Sequence, residues 1–440
     1  MDCFFFVWII GFNDVEIALK MDADWIQYLS TKCIGIIGAG LSGKGVAHLC
    51  DRWNLNYELI DERSGFVHTL NLEKYNCVVI SPGFSPHHPW IHQVLSSKIF
   101  WLNEIDFAMR FCKNPLIAVT GTNGKTSTVE LTAQLLRCSG KRVAAVGNNG
   151  RVLSEVLASD KVEKNDIFVC EISSYQAWSL KFLRPVCTLW TNIAPDHIYY
   201  HESFQNYLKA KQQLLTLTNG KIFCGNSLKE WLQSNDNLVF APQVEREYEW
   251  LKGFPACFSR GQCENFVLVR AFAQDWGISE ACVQRTFQHF RQPAHRLYCC
   301  GHCGDIEFWN DSKGTNLHAV CSALESLKHK KQVGWILGGR GKGEDLGRFI
   351  ELFNHYPNVE VIYLIGETGT LLQERSSQFH AQIVAAETID NVFKHFCENP
   401  LNHVLVLSPG FASWDQFTSF EQRGEVFEKN VREFIKIKNA

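Results

Sequence analysis

The sequence has almost no net charge and, beyond its first residues, no long apolar run. Its 440 residues include 43 basic and 46 acidic side chains, which gives a formal net charge of -3. Proteins that bind the nucleic-acid backbone usually carry a basic stripe, so the composition gives no support to a nucleic-acid partner. No later stretch approaches the roughly 18 apolar residues typical of a membrane span. We therefore predict a cytoplasmic monomer without stable membrane insertion.

The start of the chain also lacks the features of a secretion signal. The run Phe4–Ile10 is apolar but too short to cross a bilayer, and no basic residue precedes it. No small-residue cleavage site follows it. Residues 1–30 are interpreted as an extension of unassigned role, and Met21 is an alternative candidate for the start.

No small disulfide framework is recognisable, although the chain contains 17 cysteines. One segment, Cys300-Gly-His-Cys303, has the spacing of a redox or zinc motif. It lies between two strand-like runs, Arg296–Cys300 and Ile306–Asn310, and Gly301 and Gly304 are interpreted as turn residues. A hairpin tip is favoured over metal or redox chemistry, and the cysteines are interpreted as free thiols of a reducing compartment.

Strand-like runs alternate with helix-like runs along nearly the whole chain, and no internal repeat interrupts them. This alternation is typical of parallel sheets covered by helices. We predict an α/β fold of three consecutive domains: an N-terminal Rossmann-like domain (1–112), a central P-loop mononucleotide-binding domain (113–292) and a C-terminal Rossmann-like domain (293–440). The turn-like segment Arg291–Ala294 separates the last two, and Pro293 marks it as a candidate hinge for closure of the last domain.

A glycine-rich loop follows the first strand. The strand Cys33–Ile37 leads into Gly38-Ala-Gly-Leu-Ser-Gly43, and a second strand, Tyr57–Ile60, ends at Asp61, 23 residues after Gly38. Such glycines let the backbone approach a diphosphate at a helix N-terminus, and the acidic residue stands at the ribose position of dinucleotide folds. By itself the pattern indicates a dinucleotide site and keeps an NAD-dependent dehydrogenase open.

A phosphate-binding loop follows the strand Leu116–Val119. The segment Thr120-Gly-Thr-Asn-Gly-Lys-Thr-Ser127 leads into a helix, so its backbone N–H groups can surround phosphates. Lys125 is placed to reach terminal phosphate oxygens, and Thr126 to hold Mg²⁺. The loop departs from the strict pattern, which has glycine where Val119 stands.

Polar side chains follow two further strands of the same predicted sheet. Glu171 comes directly after the strand Ile167–Cys170, and Asp196-His197 follows the strand Val186–Thr191. The next predicted helix carries Lys211. Ligands bind at the carboxyl ends of parallel strands, and a carboxylate beside a phosphate loop is a natural metal ligand.

These motifs, in this order, resemble those of the Mur ligases. The phosphate loop, Glu171, Asp196-His197 and Tyr207-Leu-Lys-Ala-Lys211 match the ATP and metal motifs of the family. Three further segments look like its D-glutamate-adding branch: Glu171-Ile-Ser-Ser-Tyr-Gln176, Asn310-Asp-Ser-Lys-Gly-Thr-Asn316 and Ser408 to Gly424. The resemblance extends from about Cys33 to Phe434.

The resemblance implies a reaction and its participants. It implies ATP-dependent ligation of D-glutamate to UDP-N-acetylmuramoyl-L-alanine through an acyl phosphate, with release of ADP and phosphate, in peptidoglycan synthesis. ATP and Mg²⁺ would be the cofactors.

The resemblance also implies the site residues. Catalysis falls to Lys125, Glu171, His197 and Lys211. The implied metal ligands are Thr126, Glu171, His197 and Lys211, the last as a carbamate. The implied ATP-binding residues are Gly121, Thr122, Asn123, Gly124, Lys125, Thr126, Ser127, Asn265, Arg296, Asp311 and Lys313. Those for the UDP-linked substrate are Leu41, Ser42, Asp61, Glu62, Arg63, Gly83, Asn148 and His197. Those for D-glutamate are Thr315, Lys342, Ser413 and Phe420.

Three positions depart from the family pattern. Leu268 stands where a second asparagine usually follows Asn265, which weakens the predicted adenine contact. Arg340 replaces a common acidic residue and is interpreted as a solvated loop charge, with attraction of D-glutamate as the alternative. Gly314 replaces a common alanine, and we expect it only to loosen its loop.

Other functions remain open at this point. Another Mur-type ligase or a folylpolyglutamate synthase shares the phosphate loop, but the Ser-Ser-Tyr-Gln and Phe-Glu-Gln-Arg-Gly segments argue against both. A dehydrogenase would leave Lys125, Glu171 and Lys211 without a role. A non-catalytic UDP-sugar-binding scaffold would not need these residues either.

Overall fold

The computed structural model describes residues 25–62, 70–148, 150–159, 162, 166–255, 259–398 and 403–439. Within these residues the backbone forms three sheets, of four, six and six strands. Each sheet with its helices is called here the first, central or last unit, in chain order. The predicted α/β class is confirmed, since helices alternate with the strands throughout.

The first unit contains a parallel four-stranded sheet in the order β2-β1-β3-β4. Its strands are β1 (Cys33–Ile37), β2 (Tyr57–Ile60), β3 (Tyr75–Ile80) and β4 (Trp101–Asn103). Its helices are α1 (Trp25–Ser30), α2 (Leu41–Arg52), α3 (Pro89–Ser96) and α4 (Glu104–Met109). Strand β3 is buried along its whole length, because a parallel sheet covered on both faces favours continuous apolar runs.

The central unit contains a parallel six-stranded sheet in the order β10-β9-β8-β5-β7-β6. Its strands are β5 (Leu116–Thr120), β6 (Val143–Gly147), β7 (Ile167–Glu171), β8 (Cys187–Trp190), β9 (Ile222–Cys224) and β10 (Leu238–Phe240). Its helices are α5 (Lys125–Cys138), α6 (Leu153–Ala158), α7 (Ser174–Ala177), α8 (Ile198–His201), α9 (Phe204–Leu217), α10 (Val244–Leu251), α11 (Arg260–Asp275) and α12 (Glu280–His289). Strands β5, β7 and β8 are neighbours, so their carboxyl ends meet at one edge.

The last unit contains a six-stranded sheet in the order β11-β12-β16-β13-β14-β15, in which β11 alone is antiparallel to its neighbour. Its strands are β11 (Tyr298–Cys303), β12 (Ile306–Asn310), β13 (Val333–Gly338), β14 (Val359–Ile365), β15 (Gln382–Glu387) and β16 (Val404–Gly410). Its helices are α13 (Leu317–Leu327), α14 (Leu346–Asn354), α15 (Gly366–Gln373), α16 (Ile389–Glu398) and α17 (Phe420–Asn439).

The cysteine-rich segment forms a hairpin, as predicted. Strands β11 and β12 pair antiparallel, and Gly304 turns the chain with a φ of +57°. The prediction that Gly301 is a turn residue is wrong, because it lies inside β11. A Cβ atom there would lie 2.8 Å from the Val431 side chain, so glycine is needed for close packing against α17. Cys299, Cys300 and Cys303 are free thiols.

Buried carboxylates join the first unit to the central one. Asp106 accepts hydrogen bonds from the backbone N–H groups of residues 181–183, at 2.7 to 3.3 Å. Glu104 accepts one from the Ser154 N–H at 2.7 Å. One apolar core, which contains Ile34 and Phe168, also continues across both units. The apolar cores of the last unit are separate from this one.

A search of the described residues for a helix long and apolar enough to cross a membrane finds none.

Candidate active site

The phosphate loop connects β5 to α5 and depends on two glycines. Gly121 has a φ of +146° and Gly124 a φ of +81°, values that favour glycine. A Cβ atom on Gly121 would lie 1.9 Å from the Thr191 hydroxyl, so the loop passes directly against the end of β8. The N-terminus of α5 therefore opens at the carboxyl edge of the sheet, where its free N–H groups can bind phosphate.

Lys125 crosses this loop. Its ammonium donates hydrogen bonds to the carbonyls of Gly121 (3.1 Å) and Thr122 (2.8 Å). Burial lowers the pKa of Lys125, and the carboxylate of Glu171 opposes that shift. The side chain is thus folded over the loop, as expected of a cation that binds terminal phosphate oxygens.

Glu171, at the end of β7, is held by two donors. The Thr126 hydroxyl donates to its Oε2 atom at 2.5 Å, and the Asn148 amide to its Oε1 atom at 3.3 Å. Burial alone would raise the pKa of this carboxyl, but Lys125 and the Thr126 hydrogen bond lower it overall. The carboxylate is therefore charged at neutral pH, and its hard oxygen atoms suit Mg²⁺.

Lys211 approaches the same loop from α9. It is 1% exposed, and its Nζ atom donates to the Gly121 carbonyl at 2.7 Å. Burial lowers its pKa well below the ordinary value, and the positive charge of Lys125 lowers it further. Both effects favour the unprotonated amine, which is the form that can react with carbon dioxide. The carbamate itself stays a prediction.

His197 follows β8 in a left-handed backbone conformation with a φ of +54°. Its Nδ1 atom lies 2.6 Å from the Tyr175 hydroxyl. Burial lowers the pKa of His197 to about 3, so the ring is neutral at physiological pH. The neighbouring carboxylate of Asp196 accepts a hydrogen bond from the His197 backbone N–H at 2.8 Å.

The last unit contacts this edge of the central unit through Asp196. The Asn316 amide donates to Asp196 at 3.0 Å, and the Lys342 ammonium lies 3.7 Å from the same carboxylate. Across the same cleft, the Asn123 amide lies 2.8 Å from the His318 ring. A lysine predicted to bind D-glutamate thus lies beside the Asp196-His197 motif of the central unit.

A cavity between the central and last units collects most of the predicted ATP-binding residues. It is lined by Asn123, Gly124, Ser127, Asn265, Arg296, Asp311 and Lys313. Asn265 packs against the phosphate loop, since a Cβ atom on Gly124 would lie 2.4 Å from its amide oxygen. Leu268 is instead buried in the core of the central unit, so it offers the cavity no polar group.

The charged groups from the last unit are strongly desolvated in this cavity. Burial raises the pKa of Asp311 to about 7, and its carboxylate accepts hydrogen bonds from the Ser408 hydroxyl (2.6 Å) and the Leu297 N–H (3.1 Å). Burial, followed by the charge of Arg296, lowers the pKa of Lys313 to about 7. A polyanion that entered the cavity would favour the charged forms of Arg296 and Lys313.

Gly314 has a clearer role than the sequence indicated. A Cβ atom there would lie 2.4 Å from Asp311 Oδ2 and 2.8 Å from the Ser408 hydroxyl. Glycine therefore does more than loosen the loop, because an alanine at this position would require the Asp311 and Ser408 side chains to shift. The glycine lets the loop pack against the buried carboxylate.

The residues predicted to bind D-glutamate all belong to the last unit. The Lys342 ammonium donates weakly to the Thr315 carbonyl at 3.4 Å. Ser413 is buried, and the Phe420 ring lies 3.7 Å from the Lys313 ammonium. Arg340 is exposed, and its backbone forms a bridge with Ala412.

The residues predicted to bind UDP lie at the carboxyl edge of the first sheet. The Ala39 N–H donates to Asp61 at 2.8 Å, which ties the glycine-rich loop to the end of β2. Leu41 is 68% exposed at the start of α2, where Ser42 follows it. Glu62 pairs with His88 at 2.8 Å.

Two predicted positions need separate mention. Gly83 borders open space, since a Cβ atom there would meet no atom within 4 Å. Arg63 lies outside the described residues.

Several polar residues at the site escaped the sequence analysis. Asn192 accepts a hydrogen bond from the Asn123 N–H at 3.0 Å, and Asn316 and Tyr175 contact Asp196 and His197 as described above. Arg423, 1% exposed, donates to the carbonyls of Ser312 (2.8 Å) and Phe411 (3.1 Å) and so fixes two loops of the last unit. Tyr175, Asn316 and Arg423 lie inside segments that carry the family resemblance, and Asn192 directly follows a predicted strand. These positions were the available signal.

Comparison with known proteins identifies relatives along most of the chain. A family model described as the Mur ligase middle domain matches residues 119–244. The UDP-N-acetylmuramoylalanine–D-glutamate ligase of Thermoanaerobacter pseudethanolicus is 31% identical over 405 residues, which cover 85% of this chain and 88% of the relative. The protein of the same name from Elusimicrobium minutum is 31% identical over 409 residues, with 86% and 88% covered.

Solved structures share the fold at lower identity. The UDP-N-acetylmuramate-alanine ligase of Thermotoga maritima superposes with a TM-score of 0.55 at 15% identity, covering 92% of this chain and all of that one. The MurF ligase of the same organism, in complex with ADP, gives a TM-score of 0.57 at 13% identity, with 82% and 91% covered.

Proposed function

Because the chain belongs to the Mur ligase family, and within it to the UDP-N-acetylmuramoylalanine–D-glutamate ligases, we propose that it joins D-glutamate to UDP-N-acetylmuramoyl-L-alanine. It is an ATP-dependent, ADP-forming ligase of peptidoglycan synthesis. The substrates, the metal and the role of each residue belong to the proposal.

One observation supports this assignment most directly. Lys125 and Lys211 converge on the Gly121 carbonyl beside Glu171, while Lys342 of the last unit reaches Asp196 next to His197. A centre suited to phosphoryl transfer and a cation suited to a dicarboxylic amino acid therefore face each other across one cleft. A ligase that activates one substrate and attacks it with another needs this arrangement.

The first step is phosphoryl transfer to the L-alanine carboxylate. A carboxylate oxygen attacks the γ-phosphorus of ATP, the bond to the β-γ bridging oxygen breaks, and ADP leaves. Protein catalyses such a transfer mainly by alignment and charge neutralisation. Lys125 supplies positive charge at the loop. Asn265, Arg296, Asp311 and Lys313 would hold the rest of the nucleotide.

We propose Mg²⁺ as the metal, held from the paired Thr126 and Glu171 side chains. Thr126 and Glu171 offer oxygen atoms, and the depressed pKa of His197 leaves its ring neutral and able to coordinate. Lys211 would join them as a carbamate, which converts its buried amine into an anionic ligand. When bound, the metal ion would neutralise charge on the transferred phosphoryl group.

The second step forms the amide. Lys342 would pair with a carboxylate of D-glutamate, with Thr315, Ser413 and Phe420 completing the pocket. The free amine attacks the carbonyl carbon of the acyl phosphate and the carbon–oxygen bond to phosphate breaks. The released phosphate takes up the proton that the amine loses. Closure of the cleft would keep water from the acyl phosphate.

The first unit would hold the UDP end of the substrate. Leu41, Ser42, Asp61, Glu62, Arg63 and Gly83 would contribute there, and Asn148 and His197 nearer the muramoyl group. Family membership favours UDP over a nicotinamide dinucleotide as the ligand of the glycine-rich loop. The glycines of that loop would approach a diphosphate group with either ligand.

Phosphate release tests the proposal. Purified protein is incubated with UDP-N-acetylmuramoyl-L-alanine, ATP and Mg²⁺, and D-glutamate is compared with L-glutamate, D-aspartate, L-alanine and diaminopimelate. We expect phosphate and the dipeptidyl product only with D-glutamate, and neither from the Lys125→Met variant. Equal turnover with another amino acid would contradict the assigned substrate.

A further inference from the structure

The ring of His197 is held by a pair of phenol groups that the proposed mechanism does not use. The Tyr175 hydroxyl lies 2.6 Å from His197 Nδ1 and 2.6 Å from the Tyr199 hydroxyl. Tyr175 belongs to the short helix α7, which follows β7 and Glu171 directly. Strand β7 therefore places both Glu171 and the partner of His197.

The ring of Tyr175 is itself fixed by its neighbours. It lies 4.7 Å from the His197 ring between centroids, and the Tyr200 ring packs edge-on against it at 4.4 Å. The Tyr200 hydroxyl is anchored in turn, accepting from the Trp178 ring N–H at 2.9 Å and donating to the Phe84 carbonyl at 3.0 Å. Tyr175 thus presents its hydroxyl to His197 from a rigid position.

We propose that Tyr175 is a positioning residue that sets the orientation and the tautomer of His197, with Tyr199 completing the hydrogen-bond chain. The proposal rests on the proposed function in one respect, namely that His197 faces the metal and the substrate. A histidine that binds a metal through one ring nitrogen commonly has the other fixed by a neighbouring hydrogen-bond partner.

The electrostatics select the direction of the chain. The Asp196 carboxylate lies 3.6 Å from His197 Nδ1, and negative charge there favours the proton on Nδ1. Nδ1–H then donates to the Tyr175 oxygen, and Tyr175 donates to Tyr199. Tyr199 is 53% exposed, so its own hydroxyl can donate to water. Every proton has an acceptor, and Nε2 keeps its lone pair for the site.

Hydrogen bonds that ran in the opposite direction would leave Nε2 without a free lone pair. If Tyr175 donated to Nδ1, the proton of the neutral ring would reside on Nε2, which could neither coordinate a metal ion nor accept a proton. The Tyr175 hydroxyl is the group in contact with Nδ1, at 2.6 Å, so it is the group that can fix which ring nitrogen holds the proton.

Tyr175→Phe tests the proposal, because it removes the hydroxyl and keeps the ring. Tyr28→Phe is the matched control: it removes a hydrogen-bonded tyrosine hydroxyl in the first unit, where Tyr28 donates to the Asn76 carbonyl at 2.8 Å. Protein labelled with ¹⁵N-histidine reports the tautomer through the Nδ1 and Nε2 shifts, with the His197 signals assigned by their loss in His197→Gln. We expect an Nδ1–H tautomer in the wild type and in Tyr28→Phe, and a mixture in Tyr175→Phe.

Kinetics give a second measurement. Loss of such a supporting group typically lowers activity or metal affinity 10–100-fold, so we expect kcat/KM of Tyr175→Phe to fall about 10-fold and the half-saturating Mg²⁺ concentration to rise. Tyr28→Phe should stay within about 2-fold of the wild type. An unchanged tautomer in Tyr175→Phe, or equal losses in both variants, would overturn the proposal.

The two hypotheses fail in different ways. A wild type that does not ligate D-glutamate, but whose His197 tautomer depends on Tyr175, would refute the proposed substrate and leave the positioning role standing. A wild type that ligates D-glutamate, with a tautomer indifferent to Tyr175, would refute the positioning role alone.

Discussion

Replacement of Lys211 by alanine should remove most of the activity, and a small carboxylate should restore part of it. The amine of Lys211 is 1% exposed, lies 2.7 Å from the Gly121 carbonyl, and has a pKa well below its ordinary value because of burial and the Lys125 charge. A protonated lysine carries three N–H donors, and this buried site is poorly suited to that form. The neutral amine is the form that reacts with carbon dioxide to give an anionic carbamate.

The size of the loss follows from the role of that anion. Removal of one preorganised group that stabilises developing charge typically costs about 10²–10³ in rate, or about 3–4 kcal/mol of transition-state stabilisation. Lys211→Ala leaves a space beside the phosphate loop about the size of the lost side chain. Formate or acetate can enter such a space and supply a carboxylate where the carbamate would stand.

The assay is phosphate release with all substrates present, in sodium formate and in sodium chloride at equal ionic strength. Lys209→Ala is the matched control, because Lys209 is an exposed lysine on the same helix two residues earlier. We expect Lys209→Ala to keep wild-type activity in both salts and Lys211→Ala to recover only in formate. Wild-type activity should also fall in buffer stripped of carbon dioxide and return with bicarbonate.

Two results would refute this reasoning. High activity of Lys211→Ala without added anion would mean that no carboxylate is needed at this position. Loss of activity without rescue, combined with a wild type indifferent to carbon dioxide, would mean that the free amine is the working form.

Three further predictions concern the loop, the pH dependence and the amino-acid pocket. Gly121→Ala should lower the free energy of unfolding by about 3 kcal/mol, because Gly121 has a φ of +146° and an added Cβ atom would lie 1.9 Å from the Thr191 hydroxyl. Gly140→Ala should lower it by only about 1 kcal/mol, because Gly140 has a φ of +84° but borders open space. Urea denaturation measures both changes. Burial lowers the pKa of His201 from 6.5 to about 4, so between these pH values the unfolded chain binds a proton that the folded chain does not. The free energy of unfolding should therefore fall by up to about 3 kcal/mol as the pH decreases through this range. The decrease should be smaller in His201→Phe. Lys342→Met should raise the KM for D-glutamate at least about 10-fold and leave the KM for ATP within about 2-fold, while Arg340→Gln should change neither by more than about 2-fold.

Each of these has an outcome that would contradict it. Equal costs for the two glycine variants would mean that the loop relaxes around the added methyl group. A pH dependence identical in the wild type and His201→Phe would place the linked proton elsewhere. A larger effect of Arg340→Gln than of Lys342→Met would make Arg340 the principal cation for D-glutamate.

The parallel sheets and the phosphate loop were predictable because their signals are local. The strand Leu116–Val119 is apolar and is followed by glycines and then by the start of a helix. Few local structures other than a strand, a loop and a helix fit this pattern. The strand bounds shifted only slightly: the predicted strand Val186–Thr191 is observed as Cys187–Trp190. The positions of Lys125 and Glu171 at one edge followed from the rule that carboxyl ends of parallel strands meet.

What the sequence did not reveal depends on contacts between distant segments. Gly301 looked like a turn residue, yet it is required by the packing of α17, whose position no local pattern specifies. The sequence around Gly314 indicates no need for glycine, because Asp311 and Ser408 lie beside it only in the folded structure. The Tyr175–His197 contact joins residues after different strands, so spacing alone could not predict it. The predicted domain boundaries and residue roles stay predictions.

In the proposed reaction, ATP activates a carboxylate before the amine attacks it. The most direct measurement uses UDP-N-acetylmuramoyl-L-alanine with ¹⁸O in the alanine carboxylate, together with ATP, Mg²⁺ and D-glutamate, and analyses the released phosphate by mass spectrometry or ³¹P NMR. The acyl-phosphate mechanism transfers one carboxylate oxygen to phosphate, so we predict one ¹⁸O atom in each phosphate released from a doubly labelled carboxylate. Phosphate without ¹⁸O, formed at the same rate as the amide, would contradict it.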